Sequence, residues 1–220
     1  KMVKGEENEK KKNIFLSEAV ATGSLDHPNI VPIHELGSNK EGQLFYSMKN
    51  ITGTPWKDAV KTKDPGENLE ILLKVCDAIA FAHSKGVIHR DLKPENVMLG
   101  EFGEVYVMDW GLAASVSEEG KAQPLDKKTA SGGTPAYMAP EMEKGDMEHI
   151  GMHSDVYLLG AILYEIITGR PPHTGVNALN CIYNAVSNKI VETEEKRELV
   201  DIAYKAMAAE PEQRYGSVQE

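Results

Sequence analysis

At 220 residues the chain can bury one sizeable core, or fold as one large and one small lobe. Its 41% hydrophobic and 26% charged residues are those of an ordinary globular protein. With 24 basic and 34 acidic residues the formal charge is −10, which excludes nonspecific nucleic-acid binding driven by counterion release.

Residues 1–50 suggest a small α+β unit. "KMVK" is a strand fragment, and "ENEKKKNIFLSEAVATGSL" is helical with a charged first half. "NIVPIHEL" and "GQLFYSMK" follow as short strands joined by the turn-like "GSNKEG". A connector near 49–54 leads into a second unit. There Leu69, Leu72, Leu73, Cys76, Ile79 and Ala80 recur at helical spacing over 67–86, with Gly86 as the stop.

Short strands are expected at 97–99 and 104–109. The stretch 111–141 is rich in Ser, Thr, Gly and Lys, and a loop that long in a compact domain is functional or disordered. Helices should follow over 154–168, 176–187 and 195–209. The run "VYLLGAILYEII" is too short to span a bilayer and contains Glu165, so it belongs in a protein core. Cys76 and Cys181 form no disulfide framework or metal spacing, which favours a reducing compartment.

"HRDLKPENVML" (89–99) fits neither helical nor strand periodicity until "NVML", and Pro94 removes a backbone donor at its centre. Polar residues on such a loop suit a site held by a scaffold. Phosphoryl transfer demands positioning and charge neutralisation. An Asp can orient the attacking hydroxyl, a Lys can steady the transferred oxygens, and Asn and Asp oxygens can hold Mg²⁺. Asp91, Lys93, Asn96 and Asp109 supply that set.

"HRDLKPEN", the downstream "DWG", "GTPAYMAPE", "HSDVYLLGAILYEIITGRPP" and "EPEQRY" together resemble a eukaryotic-type (Hanks-type) Ser/Thr protein kinase. "HPNIVPIHELG" and "VMDWGLA" are most similar to its bacterial members. The resemblance covers nearly the whole chain and implies an α+β, bilobal protein-kinase-like fold. Residues 1–50 would form a partial strand-rich N-lobe, and 51–220 a mainly helical C-lobe.

The resemblance also assigns roles. Asp91 is the expected catalytic base and Lys93 the phosphate-contacting lysine, with Asn96 and Asp109 as metal ligands. Lys1 matches the strand lysine that reaches the α/β-phosphates, and Glu18 its helix partner. Met48 would be the gatekeeper, Lys49 to Ile51 the hinge, and Met98 the floor beneath adenine. His89 would support the metal-binding loop, Asp155 would cap the catalytic loop, and Glu141 with Arg214 would form a buried ion pair. Lys93 together with Thr134 implies Ser or Thr as acceptor. Arg90 implies control by phosphorylation, with Thr129 and Ser131 as candidate sites. Trp110 stands where Phe is usual and should fill the same apolar role, with an indole N–H able to bond. Thr22 replaces an apolar residue, and its hydroxyl either bonds locally or weakens contact between the lobes.

The implied cofactors are ATP and Mg²⁺, with Mn²⁺ as an alternative. Implied partners are Ser/Thr-bearing proteins and a second copy of the chain for autophosphorylation. Neither nucleic acid nor a membrane segment is expected. The implied location is the cytoplasm, either as a whole protein or as the cytoplasmic part of a membrane-anchored one. Relatives carry a glycine-rich strand–turn–strand before the strand lysine, and Lys1 is the first residue here. The sequence is therefore expected to be a piece of a longer protein, weakly active or inactive alone. Two rivals stand beside this reading. A pseudokinase-like binding module would typically lack one of Lys1, Glu18, Asp91, Asn96 and Asp109. A small-molecule phosphotransferase would not need "KPE" or "GTPAYMAPE".

Overall fold

The computed structural model describes residues 1–2, 9–126, 130–195 and 198–220. The first unit consists of α1 (Glu9–Gly23) and the antiparallel pair β1 (Ile33–Ser38) and β2 (Leu44–Met48). Asn39 shapes the turn between these strands, its Oδ1 accepting from the N–H groups of Glu41 (3.0 Å) and Gln43 (2.9 Å). Met2 bridges to Phe45, so the fragment headed by Lys1 lines up along β2. Phe15, Ala19 and Tyr46 form a small core of their own between helix and sheet.

The connector is more ordered than its sequence implies. β3 (Gly53–Pro55) pairs with β5 (Val97–Gly100), and β5 pairs with β6 (Val105–Val107). A single turn, α2 (Trp56–Ala59), follows β3. Trp56 is fully buried, and its indole N–H donates to Asn68 Oδ1 at 2.8 Å. The Asn68 amide in turn donates to Val60 O, so a buried polar residue in the next helix is satisfied.

That helix, α3 (Pro65–Ser84), starts on a capping box: Asp64 accepts from Gly66 N, and Glu67 accepts from Asp64 N. It ends before Gly86, whose φ of 67° suits glycine. β4 (Val87–Ile88) then pairs with β7 (Ala114–Ser115), which runs parallel to β8 (Gln123–Pro124). The long stretch 111–141 therefore contains two short strands and the start of α4 (Pro140–Lys144), which sequence periodicity did not reveal.

α5 (Met152–Thr168) runs through the centre of the larger unit with every residue from Ser154 to Glu165 buried. Its one buried acid late in the helix, Glu165, accepts from Tyr137 O–H at 2.6 Å. α6 (Ala178–Val186) and α7 (Glu198–Ala206) complete the fold. A Cβ on Gly160 would lie 2.6 Å from Ala206 Cβ, so this glycine lets α5 and α7 pack closely. Val107 N donates to Asn29 O at 2.7 Å, and Asn29 Nδ2 donates to Val105 O at 3.0 Å. These bonds fasten the segment after α1 to the sheet beneath the site. Among the described residues no helix is long and apolar enough to cross a membrane.

Candidate active site

The loop 89–96 owes its shape to one buried carboxylate. Asp155, in the first turn of α5 and fully buried, accepts from His89 N (2.8 Å), Arg90 N (2.9 Å) and His83 Nε2 (2.8 Å). Burial pushes its pKa up, but the His83 bond, the nearby histidines and the His89 N–H outweigh that and hold it below the usual Asp value. These bonds keep Arg90 in a left-handed backbone conformation, φ 72°, that a non-glycine residue seldom adopts alone.

Past that bend the polar side chains converge on Asp91. Lys93 Nζ (2.9 Å) and Asn96 Nδ2 (3.1 Å) donate to its Oδ2, and Thr134 Oγ1 donates to its Oδ1 at 2.8 Å. Lys93 also donates to Thr134 Oγ1. A 3₁₀ turn over Pro94–Asn96 brings Asn96 back far enough to donate to Asp91 O at 2.7 Å. Thr134 arrives from a distant segment through Gly133, φ 133°, where a Cβ would press on Met138 and on Arg90 O.

The second acid is tied to the same loop through its neighbour Met108. His89 Nδ1 accepts from Asp91 N, which leaves the proton on Nε2 to donate to Met108 O at 3.1 Å. Met108 N donates to Asn96 O at 2.8 Å, so the loop and the end of β6 are laced together. Asp109 follows with φ 55° and an exposed carboxylate that has no hydrogen-bond partner among the described residues. A Cβ on Gly111 would stand 3.2 Å from Asp109 Oδ1 and 3.8 Å from Glu18 Oε2, so these two acids border one space. Lys1 Nζ reaches both Glu18 oxygens at 2.7 Å.

Trp110 is buried against the His89 ring, centroids 4.6 Å apart. Its indole N–H has no partner among the described residues, so it serves by packing alone. The Thr22 hydroxyl donates to Glu18 O at 2.7 Å, a local bond one turn back along α1.

Met48 and Met98 are half-buried, on β2 and β5. Lys49 turns its ammonium onto Tyr106, bonding the hydroxyl and lying 4.7 Å from the ring centroid. That bond raises the Lys49 pKa. Ile51 is half-buried. A cavity of about 500 Å³ touches Lys49, Tyr106, Thr22 and His27 but none of Asp91, Asn96 and Asp109. Volume alone does not locate the chemistry here.

Arg90 donates to Leu112 O and Ala130 O, and shares a cavity of about 160 Å³ with Ser17, Gln123 and the exposed Ser131. Thr129 lies outside the described residues. Farther off, Glu141 receives both Nη1 (2.7 Å) and Nη2 (2.8 Å) of Arg214 in a buried bidentate pair. Sequence reasoning missed two polar residues at the site. His83 holds Asp155, and Tyr46 O–H donates to Glu18 Oε1 at 2.7 Å. A phenol two positions before Met48 in an apolar strand is the one sequence signal for the second.

The protein kinase domain family matches residues 1–219. The chain belongs to that family. The serine/threonine-protein kinase PknB of Mycobacterium tuberculosis is 34% identical over 217 residues, covering 94% of this chain and 34% of its own length. PknB of Mycolicibacterium smegmatis is 35% identical over 217 residues with the same coverage, 94% and 34%. The serine/threonine-protein kinase PknD of Chlamydia felis is 32% identical over 246 residues, covering 97% of this chain and 26% of the relative. This kinase domain thus spans about a third of the length of PknB and about a quarter of PknD. Its bilobal α+β design is the family's, and its likeness is to bacterial serine/threonine kinases.

Proposed function

We propose that this domain transfers the γ-phosphoryl group of ATP to Ser or Thr hydroxyls of protein substrates. The observation that carries the reading is the state of the Asp91 carboxylate. Two ionised oxygens offer about four acceptor positions, and three are filled, by Lys93, Asn96 and Thr134. The remaining one, on Oδ1, suits an incoming hydroxyl. Asp91 orients that hydroxyl and takes its proton, while Lys93 keeps positive charge beside the oxygens in transit.

The donor set fits magnesium. Asn96 spends its amide nitrogen on Asp91, which leaves Oδ1 as a hard oxygen donor, and the Asp109 carboxylate is uncommitted. Among the described residues no cluster of three or more His, Cys, Asp or Glu could hold a metal without help. That suits an ion held by one or two side chains plus substrate phosphates. Bound there, Mg²⁺ (or Mn²⁺) would neutralise phosphate charge. Lys1, held by Glu18, would bind the α/β-phosphates, with Met48, the Lys49–Ile51 backbone and Met98 around adenine. Residues 1–50 and 51–220 then act as two lobes closing on one nucleotide.

The test is ³²P transfer from ATP to a Ser/Thr-rich protein, with the domain in its full-length context. EDTA in excess of the metal should abolish transfer, and added Mg²⁺ should restore it. Transfer that is insensitive to chelation would sink the metal assignment, and no transfer at all would favour a nucleotide- or partner-binding module. Use of ATP and two uncrosslinked thiols support a cytoplasmic location, either as a whole protein or as the cytoplasmic part of a longer, membrane-anchored one.

We extend the reading to regulation. Ser131 and Arg90 line one cavity, and a phosphate on Ser131 would add about −1.5 to −2 charges beside the guanidinium; Thr129, the other candidate, lies outside the described residues. Autophosphorylation between two copies would supply it and feed a signalling role. Mass spectrometry of the fully active protein should find phosphate at one of these positions; an unmodified active form would refute this control.

A further inference from the structure

We propose that Tyr46 is a positioning residue for this transfer, its hydroxyl holding Glu18 in place for Lys1. The proposal rests on the kinase reading above and goes beyond it, since a Lys–Glu pair needs no third partner.

Residue 46 touches both members of the pair. Its backbone exchanges two bonds with Lys1, Tyr46 N to Lys1 O at 3.0 Å and Lys1 N to Tyr46 O at 2.9 Å. Its side chain donates to Glu18 Oε1 at 2.7 Å. One residue therefore sets the strand that carries the lysine and the carboxylate that the lysine must meet. The phenol is itself fixed. Tyr46 is 4% exposed, and its ring lies 5.0 Å from that of Phe15, one turn before Glu18 on the same helix.

The two contacts to Glu18 differ in stiffness, which gives the phenol its weight. The Lys1 ammonium ends a flexible four-carbon stem and can follow the carboxylate outward. A buried phenol on a strand cannot follow. Its bond to an ionised oxygen is of the stronger, charge-assisted kind. Burial, then the bond to Glu18, raises the Tyr46 pKa, so the hydroxyl keeps its proton and remains a donor at neutral pH. α1 is thus held inward from the strand side whether or not a nucleotide engages Lys1.

The plainer role is that Glu18 merely satisfies a buried tyrosine. A double-mutant cycle separates the two. Tyr46→Phe keeps the ring and its contact with Phe15, and is measured alone and combined with Glu18→Gln. Acting through Glu18, Tyr46→Phe should lower kcat/KM for ATP about tenfold, the size expected for a hydrogen bond to a charged group. With Glu18→Gln present it should cost under about twofold. Equal losses in both backgrounds, or under about twofold in the unaltered one, would overturn the proposal.

Should the unaltered protein transfer no phosphate, the kinase reading fails by itself. Amide exchange then judges Tyr46 independently of activity. Tyr46→Phe should speed exchange across residues 14–22 by about fivefold or more and leave α5 unchanged. Unchanged exchange in α1, or a rise in both helices, would refute a positioning role.

Discussion

Asp91→Asn is expected to cut the rate of phosphoryl transfer by about 10²–10⁴-fold, the usual cost of removing a positioned base. The substitution is close to isosteric, and its neighbours can keep their places. An amide oxygen can still receive Lys93 Nζ and Asn96 Nδ2, while the amide nitrogen faces a Thr134 hydroxyl able to accept as well as donate. What goes is the negative charge that takes up the proton. Steady-state ³²P transfer measures the loss, and a melting curve checks that the fold is intact, with a shift of a few degrees at most. A rate within tenfold of the parent would remove Asp91 from its assigned role and leave the lysine, asparagine and threonine around it without a common purpose.

The candidate catalytic loop was legible because its polar residues lie close together in sequence. Asp91, Lys93, Pro94 and Asn96 lie within six residues, and one 3₁₀ turn brings them together. Long periodic segments were equally plain: α3 and α5 lie within two residues of the limits set by their apolar spacing. Short elements were not. β3, β7 and β8 have two or three residues each; β3 and β7 become strands because β5 and β4, far away in sequence, offer a backbone edge, and β8 forms only alongside β7. The same reason hid Tyr46. The run "GQLFYSMK" after a turn-like stretch announces a strand, but that its phenol meets Glu18 depends on how α1 packs, which no local pattern encodes. Thr22 shows the reverse case. Sequence left two fates open for its hydroxyl, and the backbone carbonyl one turn back settled the matter. Trp110 is a third case: it packs against the His89 ring, and its indole N–H, though able to bond, has no partner among the described residues.

Arg214→Met is expected to destabilise the domain by about 3–5 kcal/mol, because it strands Glu141 as a buried, uncompensated charge. All five N–H donors of the guanidinium are engaged: Nε with Ala208 O, Nη1 with Glu141 and His153 O, and Nη2 with Glu141 and Ala209 O. Its face lies 4.9 Å from the Tyr157 ring centroid. Among the described residues Ser154 Oγ alone would remain to satisfy the carboxylate. For a domain of this size each kcal/mol moves the melting temperature by about 2–4 °C, so a fall of about 6–20 °C should appear in calorimetry. Adding Glu141→Leu to Arg214→Met should recover part of that fall, since an apolar pair of similar volume avoids the cost of burying a lone charge. The recovery would be incomplete, because the carbonyls of Ala208, Ala209 and His153 also lose their donor. A double variant no more stable than Arg214→Met alone would show that these carbonyl bonds, rather than the pairing of charges, make Arg214 necessary to the fold. Whichever term dominates, the loss is one of folding: activity should fall in proportion to the unfolded fraction, with the KM for ATP of the remaining folded molecules unchanged.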